Sequence, residues 1–304
     1  MSSNTRTSAG RKEVANSTVK AIEAGSYSLN GVIHDLSTKT KESENNTRFY
    51  SAESALTSWA AASPANPSPR TEVSLLEMST LAGARYLSSQ VPHARIGILN
   101  FASAKNPGGG FLSGSQAQEE SIARSSNLYP TLITRTAQQF YKLHATSPKE
   151  GFYSHSMIYS AGIVVFREDS GQWVEPMQVD VLTSPAVNAG LVRRNLGDKF
   201  EPAEIEEKIA ATMKERMARI LYLFEKEGVK NIVLGSFGTG VFKNKVDMVA
   251  NTWAQHLSLP GARFRNTFDR VVFAILDHKT FEVFKASYEL TGGNCTIQSL
   301  EIIQ

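Results

Sequence analysis

Five apolar stretches rich in β-branched residues, Arg95–Phe101, Ala161–Arg167, Gln178–Thr183, Asn231–Ser236 and Arg270–Leu276, constrain this chain more than any other feature of it. Each has the length of a strand, and none alternates cleanly between apolar and polar side chains. Both faces of each are therefore expected to be covered. Between them lie helical patterns. The clearest is Glu201–Glu227, where Ile205, Ile209, Met213, Met217, Ile220 and Phe224 recur at three- and four-residue spacing and form one apolar stripe. Strands alternating with helices predict an α/β fold, a sheet with helices on its faces.

The first ninety residues have a different texture. Helical patterns at Arg11–Ala24 and Glu72–Gln90 flank Ala62–Arg70, in which Pro64, Pro67 and Pro69 forbid regular structure. We read residues 11–92 as an N-terminal helical cap packed on a sheet domain spanning 93–304. Residues 1–10 are read as a disordered start, because Met1–Ser8 are small and polar and lack the apolar stretch of a secretory signal. A length of 304 residues allows two small domains or one elaborated α/β domain. No fixed-period repeat argues for a solenoid.

Composition removes several classes of function. The apolar runs fall far short of the roughly 20 residues a membrane helix needs, so no membrane partner is expected. Lys and Arg total 32 against 29 Asp and Glu, with no basic block, so direct DNA binding is not expected either. The single cysteine, Cys295, can form neither an internal disulfide nor a cysteine-based zinc site, which suits a reducing, intracellular compartment.

Two motifs carry chemistry. The first follows the strand ending near Asn100: Asn106-Pro107-Gly108-Gly109-Gly110-Phe111, then Gln118-Glu119-Glu120-Ser121-Ile122-Ala123-Arg124. Three consecutive glycines bare the backbone, so that N–H groups can approach an anionic or crowded ligand; a flexible surface turn would explain them equally well. Gln118–Arg124 has the pattern of a helix start, which would project Glu119 and Glu120 roughly 100° apart and let only one point at a shared reacting atom. That argues against the facing carboxylate pair of most glycosidases. Acidic residues in a first helical turn can also simply complement the macrodipole.

The second motif is Asn231-Ile232-Val233-Leu234-Gly235-Ser236-Phe237-Gly238-Thr239-Gly240-Val241-Phe242, a strand running into a glycine turn, with a helical pattern from about Val246. Exposed amides at the carboxyl end of a strand suit phosphate. No Gly-Lys-Ser/Thr closes the turn and no clean G-x-G-x-x-G is present, which disfavours nucleotide hydrolysis and hydride transfer. Phe237 and Phe242 could stack on a base, press on a ribose or belong to the core. Two glycine turns at two strand ends suggest one crevice for a pyrophosphate compound.

At these residues the sequence resembles the microbial-type poly(ADP-ribose) glycohydrolases, a macrodomain family marked by a Gly-Gly-Gly loop followed by Gln-Glu-Glu. The likeness continues through Leu99-Asn100-Phe101-Ala102-Ser103, Arg124-Ser125-Ser126, Val187-Asn188-Ala189-Gly190 and Gly238-Thr239-Gly240-Val241-Phe242. The resemblance implies a macrodomain-like mixed sheet flanked by helices and hydrolysis of the ribose–ribose bond of poly(ADP-ribose). Poly(ADP-ribose) and ADP-ribosylated proteins would be the substrates and ADP-ribose the product. It implies Glu120 as the acid that protonates the leaving ribose oxygen, with Glu119 and Gln118 on ribose hydroxyls and holding the helix start. Gly108, Gly109, Gly110 and the turn Ser236, Phe237, Gly238, Thr239, Gly240, Val241 and Phe242 would surround the diphosphate and distal ribose. Ser103 stands where many macrodomains carry a ribose-binding asparagine, a place that Asn106 is expected to fill. No cofactor and no metal is expected, since neither loop carries ligands at metal spacing.

The implied role raises a physical difficulty, because a helix N-terminus favours the carboxylate whereas a general acid must hold its proton. A substrate diphosphate about 6 Å away would disfavour the ionised form by roughly 3 kcal/mol at an effective dielectric of about 20. The bound substrate would thus help to load its own acid. A module that recognises ADP-ribose without cutting it is the competing reading, and an unrelated phosphate-binding protein sharing only the glycine turns is a third. The intact Gln-Glu-Glu run favours the enzyme, since a pure reader needs no carboxylate at the glycosidic oxygen.

Overall fold

The computed structural model describes residues 5–64, 67–146, 150–293 and 296–297. In chain order the elements that matter begin with α1 (Ser8–Ala24), β1 (Ser26–Leu29), β2 (Val32–Asp35), α2 (Ser37–Asn45), β3 (Arg48–Tyr50), β4 (Glu72–Leu76) and α3 (Thr80–Gln90). They continue with β5 (Ile96–Phe101), α4 (Gln118–Ser125), α5 (Leu128–Leu132), α6 (Gln138–Thr146), β6 (Met157–Arg167) and β7 (Trp173–Ser184). The last group is α7 (Ala189–Leu196), α8 (Pro202–Lys226), β8 (Asn231–Leu234), α9 (Val246–Leu257), β9 (Arg270–Ala274), α10 (His278–Leu290) and β10 (Thr296–Ile297). The chain divides into two compact units.

The first unit gathers the described residues through Tyr50 with Ala84–Thr146 and Ser156–Ser184. Its strands run in the order β5-β7-β6-β3, with β5 parallel to β7 and the other pairs antiparallel. Every residue of β5 except Phe101 is buried, as its unbroken apolar run predicts. A small hairpin, β1-β2, turns at Asn30-Gly31, whose φ values of 50° and 82° are those of a type I′ turn. Within it Tyr27 stacks on His34, and also on Trp173 of β7.

The second unit holds Ser51–Gly83, the described part of Ser147–His155, and the chain from Pro185 onward. Its strands, in the order β10-β4-β9-β8, are all parallel. All of β8 and most of β9 are buried. Helix α8 covers its unit with the predicted stripe, Ile205, Ile209, Met213, Met217, Ile220 and Phe224 all being buried.

Three expectations are corrected. Glu72–Gln90 is not one helix: Glu72–Leu76 is a parallel strand, and the helix begins at Thr80, where Ser79 Oγ accepts the Ala82 N–H. Val73 and Leu75 pair with Val271 and Phe273 of β9, a partner that no local pattern could reveal. The opening region therefore carries strands β1 to β4 as well as helices. Residues 8–10 are not part of a disordered start but the first turn of α1, capped by Thr7 Oγ1 on the Gly10 N–H. Cys295 lies outside the described residues. Among the described residues no helix is long and apolar enough to cross a membrane.

Candidate active site

In the first unit the glycine loop leaves the carboxyl end of β5 and returns into α4. Gln118 stitches the two together, its Oε1 accepting from Phe101 N at 2.8 Å and its Nε2 donating to Leu99 O at 2.6 Å. Both ends of the amide are thus engaged by strand backbone, and holding the helix start is the geometric role of Gln118.

The two glutamates differ in their surroundings. Glu119 is 2% exposed, and both of its carboxylate oxygens accept hydrogen bonds, from Ser103 N at 2.6 Å and from Asn100 Nδ2 at 3.4 Å. Burial pushes its carboxyl up to about 8, with the nearby Glu120 charge adding to the rise and the N–H donors opposing it. Glu120 is 9% exposed, and its Oε1 accepts from Gly110 N at 2.9 Å.

The carboxylates do not diverge as the helical spacing predicts. A Cβ placed on Gly109 would collide with the Glu120 carboxylate and lie 3.1 Å from Glu119 Oε2, so both long side chains bend toward the same point. This also revises the reading of the glycines. Gly108 and Gly109 have φ of 68° and 59°, which a side chain adopts only with strain, and the space beside Gly109 holds the protein's own carboxylates. Asn106 closes the turn through its backbone, accepting from Gly109 N at 2.9 Å and donating to Ser103 Oγ at 3.1 Å, with its side chain exposed.

Residues without an assigned role in the sequence brace this loop. Arg124, buried one helical turn beyond Glu120, donates to Ser115 O at 2.6 Å. Burial lowers its guanidinium from the ordinary value, and the Glu120 charge works against that. From α1, Thr18 Oγ1 donates to Arg124 O at 2.6 Å and Arg11 Nε to Gly114 O at 2.8 Å, while Ala15 packs with Phe111 and Ala123. Asn100 and Arg124 lie inside the recognised motifs; only their contacts show what they do.

The raised Glu119 carboxyl has a consequence for stability. A group lifted in the fold from 4.5 to about 8 contributes its full stabilisation below about 4.5 and loses it as pH rises through about 8, where the fold must hold a buried charge. Glu119→Gln removes that titration. Thermal melts of both proteins should show the wild type losing several degrees more than the variant between pH 5 and 9; equal losses would refute the buried-proton assignment.

In the second unit the turn after β8 is closed by Thr239 N to Ser236 O at 3.2 Å and Lys243 N to Gly240 O at 3.2 Å. Thr239 Oγ1 also donates to Ser236 O, at 2.9 Å. The conformational demand falls on Gly238, with φ 76° and no room for a Cβ beside Ala186 and Asn244, whereas Gly240 faces open space and needs no such φ. Phe237 is fully buried, so its ring belongs to the core and offers no face to a ligand. Val241 is 78% exposed, and Phe242 is half-buried with its ring 6.0 Å from that of Tyr153. Among the described residues no group of three or more His, Cys, Asp or Glu could hold a metal ion.

A mixed α/β fold whose acidic pair converges on a glycine turn at a strand's carboxyl end is the arrangement that the resemblance to macrodomain-type glycoside hydrolases implies. The model of the microbial-type PARG catalytic domain matches residues 15–168. Poly(ADP-ribose) glycohydrolase from Thermomonospora curvata is 36% identical, with 93% of this chain and 99% of that chain covered and a TM-score of 0.82. Its structure bound to the inhibitor ADP-HPD matches at 37% identity over 93% and 99%, with a TM-score of 0.79. The Deinococcus radiodurans poly(ADP-ribose) glycohydrolase in complex with ADP-ribose is 31% identical over 87% and 99%, with a TM-score of 0.73. A comparison with curated proteins finds no match. This chain belongs to the microbial-type poly(ADP-ribose) glycohydrolase family, glycoside hydrolases that act on poly(ADP-ribose).

Proposed function

We propose that Glu120 is the general acid in cleavage of the ribose–ribose O-glycosidic bond of poly(ADP-ribose), releasing ADP-ribose. One observation carries the choice between the two glutamates. Both oxygens of Glu119 are tied and the residue is 2% exposed, whereas Glu120 has one oxygen anchored on Gly110 N and the other without a hydrogen bond among the described residues. An acid must reach the oxygen it protonates. As the glycosidic bond breaks, the proton of Glu120 passes to the leaving ribose oxygen, and positive charge develops on the sugar left behind. Water adds to that sugar and returns a proton to the Glu120 carboxylate, so the enzyme ends as it began. Glu119 keeps a positioning role: its bonds to Ser103 N and Asn100 Nδ2 fix the loop beside the acid.

The diphosphate-binding role of Ser236 and Gly238–Phe242, and that of Asn106 toward a ribose, belong to the same proposal. The support is the open space at Gly240, the half-buried ring of Phe242 and the exposed Asn106 side chain. ADP-ribosylated proteins as targets, and a cytoplasmic or nuclear location, complete it; a chain with one cysteine suits a reducing compartment. Incubation of the purified protein with poly(ADP-ribose) should yield free ADP-ribose over many turnovers. Intact polymer bound in stoichiometric amounts would support a non-cutting reader instead.

A further inference from the structure

Arg216 of α8 is wholly buried, and among the described residues it has no carboxylate partner. Burial, helped by the charge of Arg219, lowers its guanidinium to about 9. Burying a cation without a counter-charge is costly, and an apolar side chain of similar volume would fill the place without that cost. The arginine is therefore explained by what it holds, which is three backbone carbonyls: Pro185 O at 3.0 Å from Nη1, and Phe152 O and Tyr153 O at 2.9 and 3.1 Å from Nη2.

The segment so gripped is strained. Tyr153 has φ 54°, a conformation that a bulky residue keeps only where its surroundings impose it. A second tie two residues earlier joins Gly151 O to Asn188 N at 2.8 Å. The glycine turn hangs from the same Pro185–Gly190 stretch. Asn244 Nδ2 donates to Val187 O at 2.7 Å and to Gly238 O at 3.0 Å, and Gly190 N donates to Phe242 O at 3.1 Å. Two loops thus share one brace, and they bring the Tyr153 and Phe242 rings to 6.0 Å between centroids with planes 38° apart. At that separation the rings touch each other and form a continuous surface, with no slot between them.

We propose that Tyr153 is a further substrate-contacting residue, joining Phe242 in an aromatic wall for a flat face of the nucleoside part of ADP-ribose, and that Arg216 is the positioning residue that sets it there. The inference rests on the reading that the Gly238–Phe242 turn receives the diphosphate. The strain at Tyr153 favours a ligand-binding role over a structural one, since a loop needing only stability would carry glycine at that φ.

Calorimetric titration with ADP-ribose, alongside thermal melts, tests this. Tyr153→Gly removes the ring and the backbone strain together, so the melting temperature should hold or rise while ADP-ribose affinity falls about tenfold. Tyr153→Phe should bind as the wild type. Arg216→Met should lower affinity to a similar extent, and the double variant Tyr153→Gly/Arg216→Met should bind no more weakly than Tyr153→Gly alone, because both act through one ring. If Arg216→Met does not fold, Arg216→Lys, which loses the guanidinium fork, replaces it with the same expectation. Wild-type affinity in folded Tyr153→Gly overturns the contact, and additive losses in the double variant overturn the positioning role. Gly240→Val separates the underlying reading: wild-type binding there sinks the diphosphate cradle itself, whereas lost binding there with normal binding in Tyr153→Gly sinks the aromatic wall alone.

Discussion

Glu120→Gln should lower turnover on poly(ADP-ribose) by about 10²–10⁴-fold while ADP-ribose affinity stays within a few-fold of wild type. The amide has the shape of the carboxyl, and its oxygen can still accept from Gly110 N, the contact that the wild type makes at 2.9 Å. What it lacks is an acidic proton that can be transferred to the leaving oxygen. Glu119→Gln should behave differently, because Glu119 accepts from Ser103 N and Asn100 Nδ2 and so helps to shape the loop. Its amide presents an N–H₂ to one of those donors, so binding and turnover should fall together. Measured kcat and ADP-ribose Kd for the two variants decide the matter. Wild-type turnover in Glu120→Gln, or lost chemistry with intact binding in Glu119→Gln, would reverse the roles.

Gly109→Ala should cost about a hundredfold in kcat with only a modest loss of stability. The added methyl would fall on the Glu120 carboxylate and lie 3.1 Å from Glu119 Oε2, so the proposed acid must move, and displacement of a reacting group by about 1 Å costs roughly that factor. The φ of 59° adds a left-handed penalty of about 1 kcal/mol that lowers the melting temperature by a few degrees. Gly31→Ala is the control: it has φ 82° and open space around the position, in the hairpin away from the glutamates. It should show the same small drop in melting temperature with normal turnover. Equal activity loss in both variants would mean that backbone strain, and not collision with the acid, is responsible.

The elements with strong local patterns are legible in the sequence. The predicted helix Glu201–Glu227 is α8 at Pro202–Lys226, the strand Asn231–Ser236 is β8 at Asn231–Leu234, and the helical pattern from Val246 begins α9 there. Asn30-Gly31 is a hairpin signal, but β1 and β2 are too short and too little buried to announce themselves by apolar periodicity. The segment Glu72–Leu76 is ambiguous in the sequence because a short apolar run fits a helix as well as a strand, and its partner strand lies far along the chain.

By itself the sequence determined the α/β class, the two glycine turns and the adjacent glutamates, because these rest on local periodicity and on residue types with few uses. The tertiary structure alone decided how those residues differ. Glu119 holds a proton up to about 8 because desolvation sums over everything packed around it. Gly109, and not merely a run of three glycines, makes room for the two carboxylates, because the bend of two side chains toward one point appears only once helix and loop are docked. Gly238 takes the positive φ that a turn of this composition could have placed at Gly240, and Phe237 goes to the core while Phe242 stays half-exposed. Burial, electrostatic environment and backbone strain are collective quantities, set by contacts between residues far apart in the chain.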